Sequence, residues 1–264
     1  MAHSPISIGT FRDKRFKRYS SYSFAVKDTL APLVLKELAR ACTGMPIGFA
    51  KAKDTFMPVA VLGLAAGTNL FVAPNGRWVG HYVPAVYRGY PFSLANGPEG
   101  KLILCFDEAS GLLSDNEGEP FFGEDEKLTD AVNQVLGFLT QLASNRQATQ
   151  RVCAALEKHG LIEPWPIKLK GKEDDAVTAV EGVFRISEER LSQLDEKSLY
   201  ALHQSGALPV IYCQLLSMQH LSILSGLAKA RQAAEQQAAL PKNDAGDIDL
   251  SFLADDTTIS FENL

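Results

Sequence analysis

The sequence predicts an α+β protein: an antiparallel meander sheet over about residues 46–106, packed by amphipathic helices, with a further strand and helices in the C-terminal half. Three observations predict it. Short apolar runs separated by turn formers crowd the first 106 residues, stripes of 3.6-residue period dominate beyond Glu126, and the two kinds of segment do not alternate as βαβ units. There is also no repeat of the length that marks solenoids.

The elements follow in order. Arg12, Lys14, Arg15, Lys17 and Arg18, threaded with Phe11, Phe16 and Tyr19, read as a solvated basic arm. Leu30, Val34, Leu38 and Ala41 recur at helical spacing around Pro32, and Gly44 stands where a C-terminal cap falls. Pro46–Ala50, Val59–Leu64 and Asn69–Val72 are strand-like runs divided by Ala65–Thr68 and by Pro74-Asn75-Gly76, and Leu102–Phe106 adds a central strand. Pro84–Tyr90, between Trp78 and Pro91, reads as a two-turn helix crossing the sheet. Leu128, Val132, Val135, Leu136, Leu139 and Leu142 form a helical stripe that continues through Val152, Cys153 and Leu156 to Gly160. Pro164-Trp165-Pro166 and the polar connector Lys170–Asp175 break the chain, Val177–Ile186 reads as a strand, and Asp195–Ser205 as a short helix closed by Gly206. Pro209 opens a final long helix reaching about Gln237. The expected division is therefore a basic N-terminal arm over 1–20, one α+β domain over 21–228 with a candidate subdomain break near 164–176, and a helix end with an acidic flexible tail over 229–264.

With 46% apolar and 22% charged residues in 264, the chain has the composition of a globular protein able to bury its own core. The longest unbroken apolar stretch, Val59–Ala66, is far short of the roughly 20 residues of a membrane span, which speaks against a permease. No signal peptide precedes the fold, so residence in the cytoplasm is the default expectation, with signal-less export compatible with it. The net charge of −5 comes from a tail holding six acids and no base, and a nucleic-acid partner would need a broad basic face that the sequence lacks. Cys42, Cys105, Cys153 and Cys213 are widely spaced and read as small buried hydrophobes. His3, His81, His159, His203 and His220 offer no ligand pair, so neither a metal nor a cofactor is expected.

The most specific constellation is Trp78, Tyr82, Arg88, Tyr90, Asp107 and Glu108, which the meander and crossing helix would bring to one sheet edge. A carboxylate pair beside an arginine and two phenols suits general acid–base chemistry where burial splits the two carboxyl pKa values. The alternative is structural: Arg88 pairs with Asp107 or Glu108 and locks the helix to the sheet. Ser217 and His220 lie in a helical context without a nucleophile elbow, and Cys105 reads as a core thiol. In the tail, Ile248, Leu250 and Phe252 face one side of an extended chain and Asp247 and Asp249 the other, the pattern of a strand that adds to a sheet edge.

The segments Pro58–Leu64, Asn69–Val72, Gly76-Arg77-Trp78, Tyr82-Val83-Pro84-Ala85 with Arg88 and Tyr90-Pro91-Phe92, Leu104–Glu108, Gly182–Leu191 and Ile211-Tyr212 resemble the SapC family, a bacterial family linked by name to the surface layer. The resemblance covers roughly residues 45–228 and is distinct from the peptide-import permease that shares the name. It departs from the family pattern at Arg88-Gly89, where two basic residues are common, and at Gly123-Glu124-Asp125. What the resemblance implies is an accessory role in handling a surface protein, with an outer-membrane receptor or a halogenase-like enzyme as partner. On the residues themselves, the absence of a nucleophile–base or metal signature favours a binding protein. An enzyme using Arg88, Tyr90, Asp107 and Glu108 on a protein or peptide, or a surface-layer structural component, are the competing readings.

Overall fold

The computed structural model describes residues 3–52, 54–169 and 177–239. The N-terminal third holds β1 (His3–Pro5), α1 (Ile8–Phe11), β2 (Arg15–Phe16), β3 (Leu30–Pro32), α2 (Leu35–Ala41), β4 (Ile47–Ala52) and β5 (Thr55–Val61). The middle holds α3 (Ala85–Arg88), β6 (Phe92–Asn96), β7 (Leu102–Asp107), β8 (Leu113–Ser114), β9 (Glu119–Pro120) and the 29-residue α4 (Asp130–Lys158). The rest runs through β10 (Ile162–Pro164), β11 (Ile167–Leu169), β12 (Val177–Val180), β13 (Val183–Ile186), α5 (Glu188–Ser192), α6 (Glu196–Ser205), α7 (Ala207–Ser217) and α8 (Leu221–Ala239). This is an α+β fold, as the sequence predicts.

The strands do not form one meander. A five-stranded sheet has the order β10-β13-β4-β5-β3, β7 lies between β1 and β6 in a second sheet, and two small sheets, β8-β2-β9 and β11-β12, complete the set. Asn69–Val72, expected as a meander strand, makes a single bridge from Val72 to Trp78. The chain turns so tightly after β5 that a Cβ on Gly63 would lie 1.9 Å from the Thr68 carbonyl oxygen. Buried Asn69 then donates its side-chain N–H to Ala25 O (3.0 Å) and accepts from Phe71 N (3.0 Å), which satisfies this backbone without a ladder. The expected strand Val177–Ile186 likewise splits at Gly182, whose φ of +72° favours glycine.

Two apolar clusters divide the interior. The larger joins β4, β5, α2, the second half of α4 and α7, while the smaller gathers Phe11, Phe16, Phe92, Phe106 and Phe121 with Val132 and Leu139. The basic segment is thus not wholly solvated: Phe11 and Phe16 are core, while four of its cations pair as Arg12–Glu126, Lys14–Asp115, Lys17–Glu117 and Arg18–Glu119. Its counter-charge comes from residues 115–126. On the α4 stripe, Val132 and Leu139 are buried, and Val135 and Leu136 are partly buried against the phenylalanine cluster.

The last helices follow the sequence, except that the expected single final helix divides into α7 and α8 at a 3-10 turn over Met218–His220. The Asp195 carboxylate accepts from Ser198 N (2.7 Å) to start α6, and Gly206, at φ +75°, ends it. The helical stretch Ala207–Gln236 is, by length and composition, long and apolar enough to cross a membrane, and a third of its most apolar window is buried within the fold. A search for unbroken apolar runs passes over it because polar residues interrupt it. Two of these, Gln214 and Ser217, are fully buried and hold α7 to β4 through Gln214 Nε2 to Ile47 O (3.1 Å) and Ile47 N to Ser217 Oγ (2.9 Å).

Candidate functional site

The α3 turn, the loop ahead of it, α2 and α4 converge on Arg88. α2 starts after Val34, and Glu37, at the third helical position, turns its carboxylate back to accept Val34 N–H at 2.8 Å. The other carboxylate oxygen accepts Ala85 N–H at 2.7 Å and the Tyr82 hydroxyl at 2.8 Å. Glu37 is only 4% exposed and is occupied by three donors. Arg88 Nη2 donates to the Tyr82 oxygen at 3.0 Å, and its guanidinium carbon lies 5.6 Å from the centroid of the Tyr82 ring and 5.4 Å from that of Phe138. Burial, reinforced by the hydrogen bond to Glu37, pushes the Tyr82 phenol well above its ordinary pKa, so Tyr82 stays neutral and keeps its proton in the hydrogen bond it donates to the carboxylate.

Arg88 is the common wall of two clefts. One, of about 380 Å³, has an aromatic side formed by Tyr19, Tyr22, Tyr90 and Phe92, a basic side formed by Lys17, Arg18 and Arg88, and a floor of Ala131 and Val135 from α4. The other, of about 290 Å³, lies between α2 and α4 and is bordered by Lys36, Arg40, Arg88, Phe138 and Asn145, with Glu37 and Tyr82 at its base. Lys36, Arg40 and Arg88 are exposed, and none forms an ion pair with a described carboxylate. The arrangement suits an anionic group stacked among aromatic rings.

The six residues expected at one sheet edge do not form one cluster. Arg88 and Tyr82 meet as described. Trp78 is buried, stacked at 5.5 Å on Phe71, and its Nε1 donates to Tyr82 O at 2.9 Å, so it supports the site from beneath and does not line either cleft. Tyr90 stacks on Phe24 at 3.8 Å, its hydroxyl meets Ser110, and burial and the nearby Asp107 charge raise its pKa. Asp107 is buried and caps the turn Glu108–Ser110 by accepting Ala109 N–H at 3.1 Å, while Glu108 is exposed. Neither acid pairs with Arg88: the guanidinium goes to the Tyr82 oxygen, Asp107 caps its own turn although its backbone is bonded to Pro91, and Glu108 is exposed. The expected acid–base cluster, and the expected lock between Arg88 and an acid, are both replaced by Glu37–Tyr82–Arg88.

Glu37, Lys36 and Arg40 were not legible as site residues. Glu37 carried one signal, an acid three residues past the helix start, which reads as a cap and gives no hint of its two partners from the 82–85 loop. Ile248, Leu250 and Phe252, expected to form a binding strand, lie outside the described residues.

Among known proteins, the model of the SapC family matches residues 7–224, most of the chain. No curated protein and no solved structure matches. The chain therefore belongs to the SapC family.

Proposed function

We propose that this SapC-family protein is a non-catalytic binding or accessory protein, and that it recognises an acidic segment of a protein partner through the clefts on either side of Arg88. One observation carries the reading: three exposed cations without ion-pair partners among the described residues border the cleft between α2 and α4, beside the Tyr82 and Phe138 rings, and its buried carboxylate, Glu37, is already taken by three donors. Positive charge is thereby left for an incoming anion, and the aromatic rings add apolar contact and cation–π support. The bacterial surface setting and a receptor or halogenase-like partner belong to the same proposal.

The test is a pull-down with wild-type protein and the Arg40→Ala/Arg88→Ala variant as baits, followed by mass spectrometry. A partner recovered by the wild type, released by salt and lost from the variant supports the reading. An identical set recovered by both baits defeats it.

A further inference from the structure

A second surface lies beside the middle of α4, along β6, and does not include Arg88. Asp107 N–H donates to Pro91 O and Gly97 N–H to Lys101 O, so the odd-numbered residues of β6 face β7 and Phe92, Leu94 and Asn96 turn their backbone groups away from it. β6 ends its sheet. Phe92 N–H folds back to Gly89 O, but the N–H and C=O of Leu94 and of Asn96 have no hydrogen-bond partner among the described residues on the outer side. A groove of about 850 Å³ runs along this edge past Thr55, Leu94, Asn96 and Arg146, and deepens into a recess of about 260 Å³ floored by Met57, Leu94 and Leu142. Opposite, β3 covers β5 only as far as Pro58, where Leu33 N–H donates to Pro58 O, so the earlier part of β5 borders the groove without a neighbour strand on that side.

An unpaired strand edge bordering a groove is a template for one more strand. Its charge selects among strands: Arg146 stands in both the groove and the recess and has no hydrogen bond or ion pair with a described residue, while Asp54 sits at the open end. We infer that the β6 edge takes up an extended peptide of a partner protein, paired with Leu94 and Asn96 through the main chain. Alternate apolar side chains of that peptide fill the recess over Met57 and Leu142, and a carboxylate meets Arg146. This goes beyond the proposed acidic-segment site, since it uses another face and main-chain recognition.

The probe is a fluorescent, end-blocked peptide of the sequence Asp-Ile-Asp-Leu-Ser-Phe-Leu, which has the required alternation and occurs in this chain at residues 247–253. Titrated with the full chain, it is expected to bind with saturation. N-methylation at alternate residues on one edge should weaken binding by about tenfold or more per register, while methylation on the other edge leaves it unchanged. Leu94→Pro, which removes an N–H that β7 does not use, and Arg146→Glu should each weaken it, and Arg40→Ala/Arg88→Ala should leave it unchanged, which separates this surface from the other. Failure to bind, equal binding of both methylated forms, or loss with Arg40→Ala/Arg88→Ala overturns the inference. Binding that appears only after removal of residues 241–264 also overturns it, because the chain then fills its own groove.

Discussion

The Tyr82 hydroxyl lies 2.8 Å from Glu37 Oε2 and donates a hydrogen bond to it, tying the loop ahead of α3 to the first turn of α2. Glu37 also accepts Val34 N–H and Ala85 N–H, so Glu37→Ala leaves three donors without their acceptor at once, two buried and one part-buried. At about 1–3 kcal/mol for each unsatisfied group, a loss of about 3 kcal/mol or more is expected in urea denaturation. Tyr82→Phe, which removes one donor and leaves the ring under Arg88, should cost about 1 kcal/mol. Equal losses in the two variants would show that Glu37 is not the hub.

Arg88 behaves differently because its guanidinium is exposed. Arg88→Ala should change stability by no more than about 1 kcal/mol, the scale of an exposed cation–π contact, while abolishing salt-sensitive binding of acidic peptides. Arg88→Lys should restore little binding, since an ammonium has no planar face to lie between Tyr82 and Phe138. Retained binding in both variants would remove Arg88 from the site.

The α4 stripe gives a graded comparison. Val132 is fully buried among the phenylalanines, whereas Val135 is half-buried at the floor of the larger cleft. Val132→Asp should destabilise by about 3 kcal/mol or more through an unpaired core charge, and Val135→Asp by clearly less. Similar midpoints in denaturant for the two would mean that the buried face is set wrongly.

Tyr19 lines the larger cleft, and burial, followed by the proximity of Tyr22, pushes its pKa up to about 12. Between the ordinary phenol value near 10 and about 12, the unfolded chain has lost a proton that the folded chain keeps. Tyr19 therefore contributes stability below pH about 10 that is lost as pH rises toward 12. Tyr19→Phe should flatten the fall of stability with pH across that interval, measured by denaturation at fixed pH values. An unchanged slope would contradict the assigned shift.

The thiols should be quiet. Burial raises the Cys153 pKa to about 12 and the Cys213 pKa to about 11, so little thiolate exists at either near neutrality. Alkylation at pH 8 followed by peptide mapping should leave Cys153 unmodified until denaturant is added. Rapid labelling of Cys153 in the native protein would count against its placement in the core.

Local patterning determined the fold class, the α4 stripe, the helix closed by Gly206, and the family, since each rests on residues within a few positions of one another. It did not determine strand partners. β7 pairs with β1, about a hundred residues earlier, because strand runs of similar composition carry no label for their neighbours. It did not determine the site either. Arg88, Tyr90, Asp107 and Glu108 are close in sequence and similar in chemical appeal, yet Arg88 is held by Tyr82 and, through it, by Glu37, 45 positions away from Tyr82. A buried carboxylate takes whichever donors the folded backbone brings within hydrogen-bonding reach, and that depends on how α2 and the 82–85 loop pack together, which only the tertiary structure decides.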